Sequence, residues 1–121
     1  MSGKNESVAI PYRGMIAKNH VFGVVTRSEV KPEATEEFDS LVAKLAQAIR
    51  KERGGVASFA CYRVSGMANT RVVIEIFVDH IAFLQFEQRP EVRDFDSRQV
   101  GLLVKARRVD FLEDPVAEVA R

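Results

Sequence analysis

Residues 71–79, Arg-Val-Val-Ile-Glu-Ile-Phe-Val-Asp, place the tightest limit on the fold. Successive side chains of a strand point to opposite faces, so Val72, Ile74, Ile76 and Val78 share one side. Val73, Glu75 and Phe77 share the other, with Arg71 and Asp79 at the strand's ends. A sheet with one solvated face carries polar residues on that face. Here only Glu75 interrupts either side, so both faces ask for cover and one layer of helices supplies only half of it.

The surrounding segments read as β-α-β-β-α-β. His20–Val30 alternates small and branched apolar residues and forms a first strand that ends before Pro32. From Pro32 to Gly55 a block of Glu leads into Phe38, Leu41, Val42, Leu45 and Ile49 at helical spacing, and Arg, Lys and the glycines Gly54 and Gly55 close it. Val56–Val64 is a second strand and residues 65–70, Ser-Gly-Met-Ala-Asn-Thr, a polar turn. After the third strand Asp79 is the expected N-cap of a helix carrying Ala82, Phe83 and Phe86. Pro90 breaks that helix or starts another, with Val92, Phe95, Gln99 and Leu103 in register, and residues 105–113 make the fourth strand.

This order predicts an α+β, ferredoxin-like domain: one four-stranded antiparallel sheet with its helices on one face. The domain spans 19–113, between an N-terminal arm (1–18) and a C-terminal tail (114–121). With no spare element to cover the second sheet face, the economical cover is a second copy of the chain, a homodimer.

Composition sets the classes aside that need a strong field or a metal. Eighteen basic against 17 acidic residues leave a net charge of +1, which draws the chain neither to nucleic acid nor to anionic membrane. The RNA-recognition domain shares the β-α-β-β-α-β order, but it shows aromatic and basic side chains on its third strand, where this chain has Val-Val-Ile-Glu-Ile-Phe-Val. Two histidines, His20 and His80, and one cysteine, Cys61, form no metal-ligand spacing. Cys61 has no disulfide partner, no apolar run reaches the roughly 18 residues of a membrane span, and the first residues lack the core of a signal peptide. The expectation is a cytoplasmic protein whose ligand is a small molecule or another protein.

Pro32 with its acidic helix start, Gly54 and Gly55 leading into a strand that ends Tyr62-Arg63, and Glu75-Ile76-Phe77-Val78-Asp79 followed by Ala82 together resemble the antibiotic biosynthesis monooxygenase superfamily over residues 18–112. The resemblance implies a dimeric α/β barrel with a pocket in each protomer between sheet and helices. It also implies a range of activities: oxygenation of phenolic substrates without metal or flavin, haem degradation, or action on small quinones. Family members often carry Trp and His at the positions aligned with Phe77 and Phe86. Phe86 cannot ligate iron, so haem degradation ranks low.

Cofactor-independent oxygenation of a small aromatic, phenolic or quinone-like molecule needs a base and an apolar pocket. Glu75, between Val73 and Phe77, is the candidate base; an ion pair with Arg63 or Arg27 is its structural alternative. His80 at the start of its helix and Tyr62 are the other candidate catalytic groups, each with a surface or interface alternative. Phe77, Phe83, Phe86, Phe95 and Arg63 are candidate pocket residues, with core packing the alternative for the phenylalanines. A non-catalytic ligand-binding or stress-related dimer of the same fold remains open beside the enzyme.

Overall fold

The computed structural model describes residues 20–119, and the expected N-terminal arm (1–18) lies outside the described residues. Four strands, β1 (Phe22–Glu29), β2 (Val56–Val64), β3 (Met67–Phe77) and β4 (Arg108–Glu113), form one sheet in the order β2-β3-β1-β4. All three pairings are antiparallel. The helices are α1 (Thr35–Lys51), α2 (His80–Glu87) and α3 (Pro90–Gln99), with 3-10 turns at Pro32–Ala34 and Val100–Leu102. This is the expected ferredoxin-like arrangement, with the second helical region divided in two at Arg89-Pro90.

Three boundaries differ from the sequence reading. Residues 65–70 are not one turn: the reversal takes only Ser65 and Gly66, with Gly66 at φ +77°, and β3 already begins at Met67. Polar Asn69 and Thr70 disguise this extension, yet Thr70 pairs with Glu29 across the sheet. The helix after Pro90 stops at Gln99, and Leu103 leaves its helical register to bridge Val30. There Leu103 is buried beside Phe38 rather than beside Val92. The last strand begins at Arg108 rather than Lys105.

The division of faces on β3 follows the alternation. Val73 and Phe77 are buried under the helices, while Val72, Ile74 and Ile76 lie on the sheet's other side and are only half-buried. Val78 falls beyond the strand's end, where its N–H donates to the Gly55 carbonyl. Val25, Ala60 and Leu112 join that second side through the strand registers, and Gly23 keeps it flat, because a Cβ there would meet the Ile76 and Leu112 side chains at 3.1 and 3.3 Å. No described element covers this side.

Two polar anchors fix the helices over the sheet. The buried Arg71 guanidinium donates to both Asp39 carboxylate oxygens, at 2.9 and 3.1 Å, and to the Ala68 and Thr70 carbonyls, tying α1 to β3. Such planar, bidentate pairing is what arginine geometry favours. Arg89 donates to the Ala48 carbonyl in the last turn of α1, to the carbonyl of its C-cap Glu52, and to the Glu91 carboxylate of α3. Asp79 caps α2 by accepting from Ala82 N at 2.8 Å. Gly55 sets how closely α2 approaches the sheet, since a Cβ at that position would lie 2.3 Å from the Ala82 Cβ. Gly55→Ala therefore forces α2 away from β2, and chemical denaturation is expected to show a loss of about 1–3 kcal/mol.

Candidate functional site

A cavity of about 160 Å³ lies between the sheet and the helices. Its floor follows from strand register. Glu75 on β3 faces Val24 on β1 and Phe59 on β2, and Val24 in turn faces Phe111 on β4. One row further along, Val73, Thr26 and Val109 align, and Ser28 follows Thr26 on β1. The roof is Phe83, Phe86 and Glu87 of α2, and Val92, Phe95, Asp96 and Gln99 of α3. Phe38 of α1 closes the far end against Phe95, their ring centroids 6.1 Å apart. Asp96, Arg107 and the exposed Phe111 place the mouth along the β4 edge, where the Phe83 ring of α2 meets Phe111 at 5.8 Å.

The cavity combines apolar walls with an unusual set of charges. Glu75 makes no ion pair among the described residues, and neither proposed arginine reaches it. Arg27 projects from the opposite face and donates to Met67 Sδ, while Arg63 stands across from Arg71 at the far end of β3. Burial, with Glu87 and then Asp96 adding repulsion, pushes the Glu75 carboxyl up to about 7, and Arg107 only partly offsets this. Burial and Asp96 also raise Glu87 above the ordinary carboxylate range. Arg107 Nη1 donates to Asp96 Oδ1 at 3.2 Å. Gln99, fully buried, donates to the Asp96 carbonyl.

Of the residues expected from sequence, the cavity gathers Glu75, Phe83, Phe86 and Phe95. Phe77 instead sits wholly in the core, its ring 5.5 Å from Phe83 and 5.1 Å from Phe86, so it supports the wall without forming it. His80 lies at the exposed start of α2, its ring against Phe22 at 4.6 Å, outside the cavity lining. Tyr62 and Arg63 are on β2, an edge strand of the sheet, beside Asp39, Cys61 and Arg71, and likewise stand apart. Burial raises the Cys61 thiol, which keeps it protonated and unreactive. The sequence reading missed Glu87, Asp96, Gln99, Arg107, Thr26 and Ser28. One signal was available: Glu87 follows Phe83 by four residues and so shares its helix face.

Removing the charge isolates what its burial costs. Folded protein holds the Glu75 proton up to about pH 7, whereas the carboxyl's ordinary value is 4.5. Between these values the native state binds more protons than the unfolded state, so this group's contribution to stability falls as pH rises. Glu75→Gln escapes that loss. Denaturation across pH is expected to show the variant near wild type below about pH 4.5 and more stable by up to roughly 3 kcal/mol above pH 7.

A family model described as antibiotic biosynthesis monooxygenase matches residues 21–98. Among solved structures, a conserved protein from Methanosarcina mazei Go1 superposes with a TM-score of 0.76 at 19% identity, covering 84% of this chain and 99% of its own. Rv0793 from Mycobacterium tuberculosis gives 0.76 at 20% identity, with 83% and 99% covered. A mutant of SnoaB, a cofactor-independent oxygenase from Streptomyces nogalater, gives 0.71 at 21% identity, with 85% and 99% covered. No curated protein matches the sequence.

Proposed function

Because the chain belongs to the antibiotic biosynthesis monooxygenase family, we propose that it oxygenates a small phenolic or quinone-like substrate in the cavity without a cofactor, with Glu75 as the base. The observation that carries this reading is a half-buried carboxyl, pushed up to about 7, in a cavity walled by Phe59, Phe83, Phe86 and Phe95. A phenol ionises near 10, so transfer to such a base is uphill by about 3 units, or roughly 4 kcal/mol; an ordinary carboxylate would face roughly 7 or 8. The electron-rich phenolate then reduces dioxygen directly.

The proposed overall conversion takes a phenol with a free ring C–H and O2 to a quinone and water. One oxygen atom bonds to the ring carbon, the other leaves as water with two hydrogens from the substrate, and all four electrons come from the ring. The protein's part is to accept the first proton at Glu75, hold the ring, and exclude bulk water. Thr26, Ser28 and Gln99 offer hydrogen bonds to the substrate's oxygen from the floor and roof. Tyr62 and His80, away from this cavity, have no part in that step. Resemblance to the cofactor-independent oxygenase SnoaB in fold supports the reaction class.

Oxygen uptake with simple phenols and hydroquinones is the direct measurement. With a phenol, kcat/KM is expected to rise with pH through about 7 as Glu75 loses its proton, and Glu75→Gln to lower it by about 10²–10⁴-fold in folded protein. Tight phenol binding with no uptake in either protein would instead favour the ligand-binding reading.

The functional unit proposed is a homodimer in which two copies bury the sheet face formed by Val25, Ala60, Val72, Ile74, Ile76 and Leu112. Contiguous apolar surface of this kind is unusual on a monomer, and a two-fold axis covers identical faces at once. Light scattering is expected to give a dimer for the wild type and a monomer for Ile74→Lys. A monomeric wild type at micromolar concentration would overturn this assembly.

A further inference from the structure

The cavity's charges do not balance. Glu75, Glu87 and Asp96 line it against a single guanidinium, and Arg107 is already engaged with Asp96. Among the described residues neither Glu75 nor Glu87 has a cationic partner. Ser28 is only 2% exposed and lines the same space, and among the described residues its hydroxyl has no side-chain hydrogen bond. A site built this way is completed by a ligand that brings positive charge at one end and a hydrogen-bonding group at the other.

Size and walls narrow the ligand further. A volume of about 160 Å³ is close to the roughly 150 Å³ of an apolar cavity known to accept benzene, which suits one ring and not a fused polycycle. Phenylalanine faces attract a cation near the ring as well as an aromatic ligand. Glu75, Glu87 and Asp96 are all half-buried; Asp96 pairs with Arg107 at the mouth and Glu87 shares the roof with it, while Glu75 lies on the sheet floor opposite Val24 and Phe59.

We propose that the cavity selects a single-ring phenolic amine in its protonated form. The ammonium pairs with Glu87 and Asp96 at the mouth, the ring lies among the phenylalanines, and the hydroxyl reaches Glu75. Glu87 is the specificity-determining residue, because Asp96 already shares its charge with Arg107. This rests on the cavity being the substrate site and adds the substrate's charge and size to that reading. The charged groups facing Glu75 are Glu87 from α2, Asp96 from α3 and Arg107 ahead of β4; β1 and β2 contribute none to the lining. A bound ammonium relieves the carboxylate repulsion there.

Calorimetric titration of the intact protein at about pH 7.5, where an alkylammonium with a pKa near 10 is charged, compares three probes of similar shape. They are tyramine, 4-propylphenol and 4-hydroxyphenylacetate. Tyramine is expected to bind at least about tenfold more tightly than 4-propylphenol, with 4-hydroxyphenylacetate weakest. Glu87→Gln is expected to reduce tyramine's advantage over 4-propylphenol by about five- to tenfold, with an unchanged circular dichroism spectrum reporting that the variant is folded. The inference is overturned if 4-propylphenol equals tyramine, if 4-hydroxyphenylacetate binds more tightly and so marks Arg107 as the reader of charge, or if Glu87→Gln weakens all probes alike. Absence of binding by all three overturns it together with the cavity as substrate site. The expected ranking without oxygen uptake supports it and removes only the oxygenation.

Discussion

Phenylalanine rings hold the helix layer off the sheet, and the cavity exists because they do so at two separate points. At one end Phe77 is locked between Phe83 and Phe86. At the other, Phe38 meets Phe95 within a second apolar cluster that includes Val30, Val42 and Leu103. Close-packed interiors rarely tolerate gaps larger than a water molecule. Between these two clusters the layers do not close, and Glu75 occupies the interval.

Those same supports create the chemistry. A carboxyl on a solvated strand face would titrate in the ordinary range; here the apolar enclosure and the two neighbouring acids raise it toward neutrality. Packing, electrostatics and proposed function are thus linked through one volume. The Arg71–Asp39 and Arg89 anchors fix α1 and α3 in position, and Gly55 admits α2 closely enough for Phe83 and Phe86 to reach their places. Destabilisation above neutral pH is the local cost of placing a carboxyl in this apolar, acid-lined cavity.

Much of this was readable along the chain because it depends on local periodicity. Alternation in residues 71–79 gave Glu75 and Phe77 a common face, and the acid-to-base gradient over 32–55 gave α1. Boundaries set by long-range pairing were less legible. Thr70 looks like a turn residue until Glu29 pairs with it, and Leu103 continues a helical pattern until Val30 draws it into a bridge. The candidates that fall outside the cavity share this origin. Tyr62 and Arg63 resemble polar ligands by type, but Tyr62 pairs with Val72 and so shares the sheet's other face, while Arg63 pairs with Arg71, four residues along β3 from Glu75.

By itself the sequence determined the strand and helix order, the division of β3 into two apolar faces, and the presence of one carboxylate on the helix-facing side, because backbone periodicity fixes side-chain direction before any folding. Tertiary structure alone decided which charges meet Glu75. Glu87, Asp96 and Arg107 come from α2, α3 and the approach to β4, and only the crossing of those elements over β1 and β3 makes them neighbours. A carboxyl's affinity for its proton depends on groups within a few ångströms in space, and distance along the chain does not report that.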